Sequence, residues 1–147
     1  MKPVHHCAQL PSAQIELEIP FHDIDPMAVA WHGHYIKYFE HARPTLLRSI
    51  DYDYPQMKQS GYFWPIVECR IKYVKSAYYG QRIRVTAVMS EFENRIRIDY
   101  RIVGVDSGEK LTVGRTLQVA VDATTGEMQF VSPAALWERI ERWRASC

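Results

Sequence analysis

The chain has 147 residues, 47% of them hydrophobic and 24% charged, with a formal net charge of +1. One domain accounts for that length, and such a domain buries roughly 70% of its unfolded surface, so it needs neither disulfides nor a metal to hold a core. A near-neutral balance argues against a nucleic-acid binder, which carries a basic excess, and no window approaches the ~20 apolar residues of a membrane span.

The stretch MKPVHHCAQLPSA (1–13) lacks the apolar run of a signal peptide and is expected to be a flexible N-terminal segment, His5, His6 and Cys7 included. Cys7, Cys69 and Cys147 are scattered without CxxC spacing, the pattern of reduced thiols in a cytoplasmic protein. QIELEIPFH (14–22) alternates Ile15, Leu17, Ile19 and Phe21 with polar residues, which predicts a strand with one buried face, ending near Pro26. GHYIKYFEHARPTLLRSI (33–50) sets Tyr35, Phe39, Ala42, Leu46 and Ile50 at helical spacing, with Lys37, His41 and Arg48 on the other side. Pro44 removes one backbone donor from this helix, so a kink or short break is expected there. Residues 51–62 read as a connection with one helical turn after Pro55.

From residue 63 the pattern is β. WPIVECRIKYVKSA sets Val67, Cys69, Ile71 and Tyr73 on one face against Glu68, Arg70 and Lys72. After a turn at Gly80, Ile83, Val85, Ala87 and Met89 form a buried row. NRIRIDYRIVGV follows a turn at Glu93-Asn94. A last strand follows Asp106-Ser107-Gly108 and runs out through Leu117, Val119 and Val121. Hairpin-length separations predict that these four strands form an antiparallel meander. SPAALWERIERW (132–143) offers Ser132 as N-cap and Pro133 at the first helical position. One early helix among long strands is an α+β plan, and a curved antiparallel sheet wrapped around one long helix is the hot-dog fold. Its open edge and flat outer face call for a second copy.

The stretch FHDIDPMAVAWHGHYIKYFEHAR (21–43) gathers His22, Asp23, Asp25, His32, His34, Glu40 and His41, including four of the six histidines. It lies between the strand and the helix, where a helix N-terminus offers unpaired backbone N–H groups and a partial positive charge. Asp23 reads as a solvated or capping carboxylate. Asp25 before Pro26 suits an Asx-turn. His22, His32 and His34 beside Asp23 do not have zinc-site spacing, so no metal and no cofactor are expected.

DPMAVAWHGHY (25–35) followed by YFEHAR (38–43) resembles the signature of the 4-hydroxybenzoyl-CoA thioesterase family of hot-dog acyl-thioester hydrolases, and the resemblance runs over nearly the whole chain. It implies hydrolysis of an acyl thioester of coenzyme A or an acyl carrier protein. The family's catalytic carboxylate falls on Asp25. A thioester carbonyl needs a carboxylate as nucleophile or as activator of water, and donors facing the oxygen that becomes negative. The amide of His32 or a neighbour would be such a donor. His32 would also orient substrate or exchange protons. Glu40 is the reserve carboxylate, because other hot-dog enzymes use one on the helix. The family often has glycines after the Asp, where this chain has PMAVA, and Asn before the Tyr, where it has His34.

Trp31, His34, Tyr35 and Trp64 are expected to contact substrate, with Trp31, Tyr62, Phe63 and Trp64 lining an acyl pocket. Lys72, Lys75, Arg82 and Arg115 are candidates for the pantetheine and phosphate end. A similarity to the branch tied to fatty-acid-like or aryl-polyene pigment synthesis would favour a carrier-protein substrate. The expected assembly is a homodimer or homotetramer. Two other readings remain open. One is a hot-dog dehydratase using His32 with Glu40 on a 3-hydroxyacyl thioester, and the other is a non-catalytic acyl-thioester binding module.

Overall fold

A computed structural model describes residues 10–146, so His5, His6, Cys7 and Cys147 lie outside the described residues. The elements are β1 (Ser12–Glu18), α1 (Tyr35–Ser49), α2 (Tyr54–Ser60), β2 (Tyr62–Phe63), β3 (Ile66–Tyr73), β4 (Arg82–Glu91), β5 (Ile96–Gly104), β6 (Lys110–Gln118), β7 (Val121–Asp122) and α3 (Ala134–Ala145). A five-stranded antiparallel sheet in the order β1-β4-β5-β6-β3 packs against α1, which is the hot-dog plan. β2 and β7 form a separate two-stranded sheet, so the last strand stops at Gln118 instead of running on to Val121.

Several expectations change at the edges of elements. Ser12 and Ala13 pair with Val88 and Ala87, so the end of the segment expected to be flexible is already strand. β1 then stops at Glu18, well short of Pro26. Pro20 has no N–H to give the ladder, the chain enters a 3-10 turn at Phe21–Asp23, and Phe21 is 73% exposed rather than buried. α3 begins at Ala134 with extended Pro133 as its cap, one residue later than expected; the Ser132 hydroxyl is buried without a hydrogen-bond partner in the structure. α2 is a fuller helix than one turn, with Asp53 and Gln56 forming a capping box and Gly61 closing it at φ +86°.

The meander holds only for β4, β5 and β6. β3 pairs with β6, three positions from β4 in the sheet. Three inter-strand spacings are about 14 Å, while the connecting residues 74–81 can reach about 26 Å when extended. The segment therefore crosses the sheet end. It starts where the Val74 and Lys75 amides donate to the Leu111 carbonyl, and finishes where the Gly80 amide donates to the Ile19 carbonyl. This crossing segment becomes one wall of the site below.

α1 runs unbroken through Pro44. One lost backbone bond is outweighed by the buried residues on either side, because Tyr35, Phe39, Ala42, Leu46 and Ile50 all lie in the core as their spacing requires. Phe39 stacks on Tyr100, with centroids 4.4 Å apart and planes 12° off parallel. Gly114 makes room for that ring: a Cβ there would sit 2.6 Å from it and 2.7 Å from the Arg70 carbonyl oxygen. The row Ile83, Val85, Ala87 and Met89 is fully buried beneath the helix. At the sheet edge, Val67, Cys69 and Tyr73 of β3 are exposed and Ile71 is half-buried, because none of the described residues covers them.

Candidate active site

The loop after the first 3-10 turn is closed by its own backbone. Ile24 bridges Ala30, the Asp25 N–H donates to the Val29 carbonyl, and the Ala28 N–H donates to the Asp25 carbonyl, both at 2.9 Å. The Met27 N–H donates to Asp25 Oδ1 at 2.9 Å, so the Asx-turn is present. Ala28 has φ +64°, a left-handed conformation that costs a non-glycine residue about 1–2 kcal/mol. Alanine thus takes up, with strain, the backbone shape that glycine would adopt freely at this point of PMAVA.

Asp25 is half-buried and lines a cavity of about 110 Å³ with Val29, His32, Tyr35, Tyr73, Lys75 and Ser76. Three segments meet here: the loop, the 3-10 turn His32–His34 that leads into α1, and the crossing segment. The Tyr35 hydroxyl accepts the Ala77 N–H at 3.0 Å, and the Ala30 N–H donates to the Ala77 carbonyl at 2.8 Å. Burial pushes the Tyr35 hydroxyl above its usual range, the Ala77 amide opposes this, and the Asp25 charge adds to the rise. The Tyr73 hydroxyl donates to the His32 carbonyl at 2.7 Å, which fixes the helix entry. The amides of His32 and Gly33 open the turn, where no preceding helical carbonyl exists to accept them. A Cβ on Gly33 would lie 2.2 Å from the Trp31 ring, so only glycine lets the indole fold back over the turn.

Asp23 overturns the expectation of a solvated carboxylate. It is 1% exposed, with Lys37 Nζ donating to Oδ1 at 2.6 Å and the Tyr38 hydroxyl donating to Oδ2 at 2.8 Å. Nε2 of His22 and His34 lie 3.6 and 3.8 Å from Oδ1. Burial alone would raise the carboxyl, but the bonds from Lys37 and Tyr38 outweigh it and hold it below the usual carboxylate range. The same arrangement, with burial first and the bonded Asp23 second, drives the Tyr38 hydroxyl up. Asp23 faces inward because the 3-10 turn that swings Phe21 outward points residue 23 at α1, where Lys37 and Tyr38 meet its carboxylate. Tyr38 escaped notice although it stands three residues after Tyr35, a spacing that already marked it for the buried face.

The remaining expected residues divide into separate places. Trp31 is exposed and packs its ring on His32 and His34, at 5.1 and 5.4 Å between centroids. Glu40 bonds to Arg43 one turn on along α1. Trp64 is in a second cavity, of about 490 Å³, with Tyr62, Phe63, Leu47 and Met57. Arg43 also lines it, roughly 12 Å along the helix from Tyr35. Lys72 lies on the outer sheet face, where it lines a depression of about 500 Å³ with Arg70, Arg115 and Asp99. Arg82 is on the same face, 3.7 Å from Glu16. Lys75 reaches the Asp25 cavity while pairing with Glu109 at 2.5 Å. Sequence reasoning missed Tyr73 and Ser76 in the first cavity, since only the crossing brings them beside residue 25.

Comparison with known proteins agrees with this architecture. A Synechocystis sp. protein, whose name assigns it esterase activity only provisionally, is 28% identical over 133 residues, covering 89% of this chain and 80% of that one. The structure of DHNA-CoA thioesterase from Staphylococcus aureus superposes with a TM-score of 0.71 at 25% identity, covering 80% of this chain and 78% of the other. A 4-hydroxybenzoyl CoA thioesterase bound to 4-hydroxybenzoyl CoA superposes with a TM-score of 0.75 at 16% identity over 88% of this chain and 99% of the other, a likeness of fold. Residues 19–143 match the family described as the Thioesterase-like superfamily, and the chain belongs to it.

Proposed function

We propose that this thioester hydrolase cleaves an acyl-coenzyme A with Asp25 as the reacting carboxylate. The observation that carries the reading is the Asp25 carboxyl group, held in a cavity beside the opening turn of α1 with one oxygen on the Met27 amide and no ion pair to a cation among the described residues. Either Oδ2 attacks the thioester carbonyl, expels the thiolate and leaves an anhydride for water to open, or the carboxylate takes a proton from an attacking water. The amides of His32 and Gly33 receive the carbonyl oxygen as it becomes negative. His32 and Tyr35 orient the thioester, and Trp31 and His34 shield the turn.

The aromatic cavity at Trp64, several times larger than the cavity beside Asp25, offers volume for a long or aromatic acyl group. Lys75 meets the pantetheine arm, and the outer-face cations Lys72 and Arg82 meet phosphates. The uncovered β3 edge, with Ile66, Val67 and Tyr73 exposed, pairs with a second copy to form a homodimer, two of which can make a tetramer. The relatives named for CoA thioesters favour coenzyme A over a carrier protein. Glu40 is bonded to Arg43 rather than to His32, which gives the dehydratase alternative no assembled acid–base pair.

A thiol-release screen over short, long and aromatic acyl-CoAs, with the same acyl groups on a carrier protein, tests the reading. The expected products are free thiol and carboxylic acid, with CoA substrates preferred. An enoyl thioester product, or binding of every thioester without turnover, would contradict it.

A further inference from the structure

Asp23 is a buried carboxylate that the proposed chemistry does not use. Its side chain takes Lys37 and Tyr38 from the first turn of α1, and its backbone carbonyl accepts the Trp31 N–H at 2.9 Å. One residue thus ties the end of the β1 segment to both the turn that opens α1 and the helix itself. Asp25 stands two positions later. The charged and titratable groups around its cavity are His32 from the 3-10 turn, Tyr35 from α1, Tyr73 from β3 and Lys75 from the crossing segment. Lys75 is held by Glu109, and Lys37, with His22 and His34, faces Asp23.

We propose that Asp23 is a positioning residue for the reaction: its buried charge engages Lys37 and seats the start of α1, and so leaves Asp25 a carboxylate without a counter-cation. The inference rests on the proposed role of Asp25. The physical reason is direct. A cation drawn to a carboxylate favours its ionised form and lowers its reactivity as nucleophile or base, whereas an unbalanced neighbouring anion does the opposite. Asp23 and Lys37 cancel each other at close range, so neither acts strongly on Asp25.

The test measures rates across about pH 5–9 for Asp23→Asn, Lys37→Met and the double variant, on whichever acyl-CoA the thiol-release screen finds fastest. Asp23→Asn keeps the side-chain shape and strands the Lys37 charge. Its turnover is expected to fall about 10- to 100-fold with KM changed less than about threefold, and the acid limb of its rate profile to move down by about half a pH unit. Lys37→Met leaves the Asp23 charge unbalanced, and its acid limb moves up. In the double variant the limb returns to the wild-type position and the turnover lost to the stranded charge is recovered, while the share lost with the seat of α1 is not. A merely structural Asp23 would lower the melting temperature and the active fraction while the profile stayed in place. An unmoved acid limb in Asp23→Asn, or a double variant no faster than Asp23→Asn, overturns the proposal. Should Asp23→Asn not fold, Lys37→Met decides alone: an upward shift supports the proposal and an unchanged limb overturns it. Full activity of Asp25→Asn would instead remove the premise, so the two failures are distinguishable.

Discussion

Asp25→Asn is expected to fold normally, bind acyl-CoA and release thiol about 10²–10⁴ times more slowly than the wild type. The asparagine oxygen can still accept the Met27 N–H, so the turn that shapes the loop survives. Asp25 is only half-buried and pairs with no cation among the described residues, so stability should change little. What is lost is the negative oxygen that attacks the carbonyl or receives water's proton. The amides of the helix turn remain and keep a residual rate. Stopped-flow thiol detection gives the rate, and titration of the inactive variant with acyl-CoA gives the affinity. A variant within about threefold of wild-type turnover would remove Asp25 from the chemistry.

Phe39→Ala carries the largest expected loss of stability, about 3–5 kcal/mol. The ring is fully buried, stacks on Tyr100 and occupies the space that Gly114 leaves open. Its removal opens a cavity between helix and sheet that neither side can close, because Gly114 has no side chain to fill it. Since domains of this size have about 5–15 kcal/mol in total, the variant should be near the edge of folding at ordinary temperature. Urea denaturation monitored by tryptophan fluorescence measures the loss. A change below about 1 kcal/mol would mean that α1 is not seated through this ring.

The same ring shows why much of the fold was legible in the sequence. Phe39 belongs to a helical stripe and Ile83, Val85, Ala87 and Met89 to a strand stripe, and both periods report burial directly. Sheet order was less accessible. Residues 74–81 separate β3 from β4 by a length that suits a loose hairpin as well as a crossing, and no local signal distinguishes the two. The site inherits that gap. Asp25, His32 and Tyr35 are close in sequence and were expected together, whereas Tyr73 and Ser76 join them only through the crossing. Phe21 was misplaced because the 3-10 turn at Phe21–Asp23 interrupts the alternation, and Asp23 was misread because the partners that make its burial tolerable, Lys37 and Tyr38, come from α1. Trp64 lies with Tyr62 and Phe63 as expected, but in a cavity of its own.

A crystal structure of the Asp25→Asn protein with an intact acyl-CoA tests the central claim most directly. The account expects the thioester carbon within about 3–3.5 Å of the residue 25 side chain, and the carbonyl oxygen about 2.7–3.1 Å from the amides of His32 and Gly33. A thioester carbon placed instead against the Glu40 carboxylate, with residue 25 away from the ligand, would contradict it.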